Sequence, residues 1–400
     1  MEQDLSDWEE ELNLLLSEDI SSVVAREKTD FDRLVSPFEK SLVLVGAGNL
    51  GRQVLARLRK DGIEPLAFAD NNLALQGKSI DGVQVLSRQQ AADKYGSSAA
   101  FIVTIWNTEH SFIQTFKELV ELNCKKVVST VTLRWKYRES LLPFFWLDNP
   151  SKTVENAALI KLAFSLWSDR FSRQEYVAQM KFRILGEFDS LSAPVLQESY
   201  FPDDLFDLLE DENFIDCGAY DGITVEHFLE RQKEFSGRII AYEPDPENFI
   251  SLNEYISGLP NNIKGNLLSL PFAISAQRSK VHFDATGTMG SNISDNGSLE
   301  VDCVTLDENL EELQFTPTYI KMDIEGAELD ALNGARNVIQ KCMPILAICL
   351  YHRYDDIWRI PLFINSLSSD YRLFLRPHEI EGWQLVCYAV PIHRLKISKL

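Results

Sequence analysis

Two short stretches of this chain carry residue types and spacings suited to holding a nucleoside. In the first, the apolar run Phe214-Ile215 leads into Asp216 and then into Gly218 and Gly222. A second apolar run follows and ends in Ala241-Tyr-Glu-Pro-Asp245, which puts Glu243 at its tip. Glycine lets the chain turn sharply and lets backbone come close to a ligand, where a Cβ would clash. Asp216 can accept hydrogen bonds from an ammonium group. Glu243 can accept both hydroxyls of a ribose, and would repel a ribose phosphate. Tyr220 inside the loop and Ala273, at the end of a third expected strand, complete the expected pocket lining. The ligand that meets these demands has free ribose hydroxyls, an amino-acid moiety and no phosphate, as S-adenosylmethionine does.

Three further stretches lie downstream: Val301–Asp307, Tyr319-Ile-Lys-Met-Asp-Ile-Glu-Gly-Ala-Glu328 and Cys349-Leu-Tyr-His-Arg353. Moving a methyl group from a sulfonium to a hydroxyl is an in-line displacement, with the reacting atoms held about 3 Å apart. The hydroxyl must lose its proton during attack. Candidate bases are His352, whose ordinary pKa lies near neutrality, and Asp323. The alternative for His352 is a pocket wall or a supporting hydrogen bond. Asp323, Glu325 and Glu328 invite a divalent cation, but Glu325-Gly-Ala-Glu328 reads better as the opening of a helix, where the dipole favours acids. No metal ligand is therefore assigned, and Lys321 is expected to pair with one of these acids. Ser291 and Asn292, in Thr288–Asn292, either contact substrate or serve turn chemistry. His378 is expected to be structural rather than substrate-binding.

The second nucleoside-type stretch is Gly46-x-Gly48-x-x-Gly51, after an apolar run and before a helical pattern, with Asp70 nineteen residues beyond Gly51. The first turn of such a helix can hold a pyrophosphate on its backbone amides, and Asp70 can take ribose hydroxyls. A nicotinamide cofactor would fit, but no partner domain with a hydride-transfer site is evident.

The elements that must position these residues alternate. Expected strands at 41–45, 65–69, 100–105 and 126–129, with helices at 50–60 and 111–122, imply a parallel sheet covered on both faces. Residues 136–200 show no strand signal. Leu159, Leu162, Ala163, Leu166 and Trp167 share a predicted helical face, Ser172-Arg-Gln-Glu175 reads as a capping box, and Val177, Met180, Ile184 and Phe188 form a core stripe. Alternation resumes with strands at 214–217, 238–242, 268–273, 318–322 and 345–350. The chain closes on an antiparallel hairpin around Glu381-Gly382. The expected organisation is an acidic helical segment (1–40), whose acids face solvent, a Rossmann-like domain (41–135), a helical connector (136–200) and a doubly wound α/β domain (201–400). The antiparallel last strand marks the methyltransferase variant of that fold.

Four hundred residues at 45% hydrophobic and 25% charged suit two globular domains. No apolar run approaches the ~20 residues of a membrane span. Six scattered cysteines lack metal-ligand spacing and read as free thiols in a cytoplasmic protein. The net charge of −21 is uneven, with twelve acids against four bases in residues 1–40 and eight against eleven in 41–135. An acidic C-terminal domain argues against nucleic acid as a partner. The oligomeric state is not legible.

On Tyr200-Phe-Pro-Asp-Asp-Leu, Asp216–Gly222, Glu243-Pro-Asp245 and Lys321-x-Asp-x-Glu-Gly-x-Glu328, residues 198–392 resemble the FkbM family of S-adenosylmethionine-dependent methyltransferases. Tyr220 stands where the general methyltransferase loop has glycine, as it often does in that family. The resemblance implies O-methylation of small molecules, commonly sugars. Phe68-Ala-Asp-Asn-Asn72 and Gly77–Leu86 give residues 41–135 a resemblance to the Rossmann-like domain that precedes sugar O-acyltransferases, whose ligand can be a nucleotide-linked sugar. The expectation is an O-methyltransferase acting on a sugar, a sugar nucleotide or a related metabolite. The alternative is a non-catalytic NAD(H)- or sugar-nucleotide-binding sensor or scaffold.

Overall fold

The structure is a computed structural model that describes residues 5–195, 199–232, 234–285, 292–293, 297 and 299–396. It divides into two units, each drawn from three chain segments. Unit 1 is Met1–Ala158, Gln174–Ala193 and Glu379–Trp383; unit 2 is Leu159–Arg173, Pro194–His378 and Gln384–Leu400. The stretch expected as one helical connector is thus shared out, and the boundary falls inside the helix Arg170–Leu185. No described helix is long and apolar enough to cross a membrane.

Unit 1 is built on a six-stranded sheet of β1 (Leu42–Val45), β2 (Ala67–Ala69), β3 (Ser79–Ile80), β4 (Val83–Leu86), β5 (Ala100–Val103) and β6 (Lys126–Ser129), in the order β3-β4-β2-β1-β5-β6. All pairs but β3–β4 are parallel. Side chains alternate across the pleat. Leu42 and Leu44 therefore pack with Phe31, Val54 and Leu58 on one face, while Val43 and Val45 pack with Ala91, Phe101 and Leu119 on the other. Burial on both faces explains why β1 is continuously apolar. The Gly77–Leu86 stretch forms a hairpin on Asp81-Gly82, both at positive φ (50° and 85°). This is the two-residue turn that an Asp-Gly pair favours.

The helical stretches differ from expectation in register. Leu159 and Leu162 are 43% and 54% exposed; the buried face is Ile160, Ala163, Phe164 and Trp167. Ser172 does not open a helix. Its amide donates to Asp169 Oδ1, while Glu175 is buried and accepts from Gln179 and Ser192. The stripe Val177, Met180, Ile184 and Phe188 is buried. The acidic N-terminal segment forms two helices, Leu5–Leu15 and Ile20–Val35. Its Glu27 is not solvated: the buried carboxylate accepts from Ser151 N and Asn149 Nδ2 at the start of the helix Pro150–Glu155.

Unit 2 holds a seven-stranded sheet. Its strands are β7 (Phe214–Cys217), β8 (Ile239–Tyr242), β9 (Leu267–Leu270), β14 (Tyr319–Met322), β15 (Ile345–Cys349), β16 (Tyr371–Pro377) and β17 (Leu385–Pro391), in the order β16-β17-β15-β14-β7-β8-β9. The strands β15-β14-β7-β8-β9 are parallel, and β17 runs antiparallel to both β15 and β16. The third expected strand stops at Leu270, because Pro271 has no N–H for the ladder. Ala273 therefore leaves this sheet. It starts β10 (Ala273–Ile274), which joins β11 (Ser279–Asp284), β12 (Asn292–Ile293) and β13 (Leu299–Val304) in a separate four-stranded sheet around Phe283, Val301 and Cys303.

The centre of the large sheet contains an ion pair. Register sets Lys321 of β14 beside Asp216 of β7. Both side chains are buried, with Nζ 2.9 Å from Oδ1. The ammonium also donates to Gly218 O at 2.7 Å, so it ties the strand to the turn that follows it. Burial opposes the charge on Lys321, but Asp216 and Asp323 outweigh it and hold the ammonium above its ordinary range. Removing one partner strands the other's charge in the interior. Lys321→Met is therefore expected to cost about 3–5 kcal/mol in denaturant unfolding, and Asp216→Leu combined with Lys321→Met to recover most of it. A single variant as stable as wild type would show that the pair does not hold the sheet centre.

Candidate active site

The turn after β7 is built on its glycines. Gly218 has φ +78°, and a Cβ there would lie 1.9 Å from Asp323 O, so the loop packs directly on the chain leaving β14. Gly222, at φ +96°, precedes the helix Ile223–Glu230. Tyr220 takes a left-handed conformation (φ +52°), and its amide donates to Glu243 Oε2 at 2.8 Å. Glu243 Oε1 accepts from Asp245 N at 2.9 Å. Glu243 thus joins the turns after β7 and β8, and each of its oxygens retains a second lone pair. Lys321, expected to pair with Asp323, Glu325 or Glu328, pairs with Asp216.

Beyond β14 the chain makes a second tight turn, with Glu325 at φ +53° and Gly326 at +94°. Asp323 precedes this turn. Its Oδ2 accepts from Tyr200 Oη at 2.7 Å and its Oδ1 from Tyr351 Oη at 2.9 Å. Glu328 opens the helix Glu328–Asn333 and is buried; its Oε1 accepts from Ile324 N and lies 2.7 Å from His352 Nδ1. The other ring nitrogen, Nε2, lies 3.3 Å from Asp323 Oδ1 and 3.6 Å from Glu325 Oε1. The structure thus brings together Asp323, Glu325 and His352, with one ligand atom from each within 4.8 Å of the others.

The electrostatics follow from this crowding. Burial disfavours the imidazolium of His352, but Glu328 and Glu325 outweigh it and push the pKa well above the ordinary value. Burial works against ionised Asp323, yet His352, Lys321 and the two tyrosine hydroxyls hold it below the usual carboxylate range. Tyr200 and Tyr351 were not singled out by sequence reasoning, although each stands within a stretch that was.

Among the remaining sequence candidates, His378 is buried with Nε2 2.7 Å from Tyr388 Oη, whose oxygen accepts from Tyr200 N; this is a supporting chain. Asn292 lies in β12, while Thr288–Ser291 fall outside the described residues. In unit 1, Gly46 (φ +106°) and Gly51 meet in one turn, where a Cβ on Gly51 would lie 2.1 Å from Gly46 O. Gly48 precedes the helix Asn49–Lys60. Asp70 accepts from Ala47 N and Asn72 N, each at 2.8 Å.

Glu243 also sets a pH dependence. Burial pushes its carboxyl up to about 7, against the pull of its two backbone donors. The folded protein then holds a proton that the unfolded chain releases. The resulting stabilisation is full below the ordinary carboxyl range and is lost as pH rises through about 7. Glu243→Gln lacks this contribution. Its stability relative to wild type is expected to rise, by up to about 3 kcal/mol, between about pH 5 and pH 8 in urea unfolding. A flat difference would mean that Glu243 stays ionised throughout.

Comparisons with known proteins bear on unit 2 most directly. Residues 216–378 match the family model described as the methyltransferase FkbM domain. Over 108 residues the chain is 30% identical to the hexuronic acid methyltransferase AglP of Haloferax volcanii, which covers 26% of this chain and 43% of that protein. The chain thus matches less than half the length of that relative. The crystal structure of methyltransferase FkbM from Methylobacillus flagellatus superposes with a TM-score of 0.75 at 20% identity, covering 96% of this chain and 98% of the other. That likeness establishes a shared fold for nearly the whole chain. The matched span opens on Asp216 and runs to His378, so both turns and the cluster around His352 lie within the stretch that matches the methyltransferase FkbM domain.

Proposed function

We propose that this chain is an S-adenosylmethionine-dependent O-methyltransferase whose acceptor is a hydroxyl of a sugar, a sugar nucleotide or a related metabolite. The observation that carries the reading is the family match over residues 216–378, which contains Asp216, Glu243, Asp323, Glu325, Glu328 and His352. The hexuronic acid named for the Haloferax relative supports a sugar-type acceptor. All six cysteines are free, in keeping with a cytoplasmic protein.

The donor set suits this cofactor. The Lys321 ammonium, which reaches the loop, is committed to Asp216 and Gly218 O. Glu243 and the backbone of the Gly218–Gly222 turn suit ribose hydroxyls better than phosphates. S-adenosylmethionine supplies an electrophilic methyl group on a sulfonium. In this reading Glu243 accepts the ribose hydroxyls through its remaining lone pairs, and the Gly218–Gly222 turn lets backbone approach the nucleoside. Asp323 and Glu325, whose side chains are 21% and 20% exposed, form the acceptor end, where the hydroxyl loses its proton. In unit 1, Gly46, Gly48, Gly51 and Asp70 are assigned to the nucleotide of a sugar-nucleotide acceptor.

Titration calorimetry of the full chain with S-adenosylmethionine is expected to show saturable binding, weakened at least about tenfold in Glu243→Ala, the loss of one or two good hydrogen bonds. Unchanged affinity would sink the ribose assignment. Release of S-adenosylhomocysteine is expected only when a hydroxylated sugar such as a hexuronic acid is present; acceptor-independent release, or none with any sugar, would overturn the activity. A UDP-sugar titrated into the full chain is expected to give heat that Asp70→Ala reduces. No heat at millimolar ligand would leave unit 1 a structural module.

A further inference from the structure

The cluster at the acceptor end contains a buried imidazole nitrogen without a hydrogen-bond partner. His352 is buried, with its side chain 2% exposed, and its Nδ1 is fixed by Glu328, which is itself fully buried. That contact turns Nε2 towards Asp323 and Glu325. There Nε2 is shielded from water and makes no hydrogen bond. A buried polar atom in that state carries a desolvation cost that calls for a partner.

The surroundings match those of a metal-ligating histidine. Such a ring usually donates its other N–H to a carboxylate, which fixes tautomer and orientation. Glu328 stands in that position, at 2.7 Å from Nδ1. Ligating carboxylates are in turn oriented by hydrogen bonds, as Tyr200 and Tyr351 orient Asp323. The left-handed turn at Glu325-Gly326 brings a second carboxylate to the same point. One imidazole nitrogen and two carboxylates form a mixed set, harder than a zinc–thiolate site and softer than an all-oxygen one. Three protein ligands leave positions open for water or substrate, on the side where Asp323 and Glu325 reach solvent.

We propose that Asp323, Glu325 and His352 bind one divalent cation of the Mn²⁺ class, with Glu328 and the Tyr200 and Tyr351 hydroxyls as outer partners. The cation's role rests on the methyltransferase reading: it would make an acceptor hydroxyl beside Asp323 and Glu325 more acidic, so that its proton would pass to water more readily. Binding of the cation does not depend on that reading.

The test is a titration of chelator-treated full-length protein with Mn²⁺, following loss of the aqueous Mn²⁺ signal by electron paramagnetic resonance. One saturable site per chain is expected. Glu325→Gln, a partly exposed position that leaves the core intact, is expected to weaken binding at least about tenfold. Glu328→Gln is expected to weaken it by about 10–100-fold through loss of the outer partner. Glu300→Gln, an exposed acid paired with Lys280, is expected to change nothing. No saturable binding in wild type, or equal affinity in wild type and Glu325→Gln, overturns the proposal. Calorimetry with S-adenosylmethionine on the same samples separates the two readings. Donor binding without Mn²⁺ binding overturns the metal site alone, whereas Mn²⁺ binding without donor binding supports the site and removes the methyltransferase reading.

Discussion

Lys321 and Asp216 face each other inside the seven-stranded sheet, with no solvent to share their charge. Desolvating two such groups costs several kcal/mol each, and their attraction offsets this only when the geometry is good and the remaining donors are used. Here a further ammonium donor goes to Gly218 O, so the pair stabilises itself by gripping the loop. The loop in turn rests on Asp323 O, at a distance only glycine tolerates. Asp323 then enters the field of both Lys321 and His352. A charge placed for strand pairing thereby fixes the turn after β7 against the turn after β14, and the sheet edge follows from that placement.

The two glycine turns of the chain use one device twice. In unit 1, Asp70 accepts an amide from the glycine turn and another from the residue two positions ahead of itself. In unit 2, Glu243 does the same with Tyr220 and Asp245. An acid at the tip of the second strand acts in both as a brace between neighbouring turns, before any ligand is considered. The two differ in burial: Glu243 is enclosed, whereas Asp70 is only partly covered.

Much of this edge was legible because its signals are local. The apolar runs of β1, β7 and β8, the glycine spacing, the acids at the strand tips and the closing hairpin all stand within a few residues of one another. The four-stranded sheet was not legible, because β11 alternates half-buried and exposed residues around Phe283 and reads as loop. The Ser172–Glu175 pattern satisfied a local rule but lost to Asp169, three residues earlier. The partner of Asp216 was hidden for a different reason. Register between β7 and β14 chose Lys321 from more than a hundred residues away. Likewise, Asp323 and Glu325 meet His352 only because β14 and β15 lie side by side and Glu325 adopts a left-handed turn. Asp81-Gly82 was legible and passed over: the dipeptide between Ile80 and Val83 is itself the hairpin signal.

The division of the chain also bears on how such a protein can be inherited. The chain passes between the units five times, once within the helix Arg170–Leu185 and twice around Glu379–Trp383 at the tip of the last hairpin. No single genetic crossover can therefore exchange one unit and leave the other whole. Fusion, excision or shuffling at the apparent linker would strip each unit of a segment supplied from elsewhere in the chain. The two glycine turns therefore belong to units whose segments interleave along the chain, and neither can be exchanged as a contiguous module.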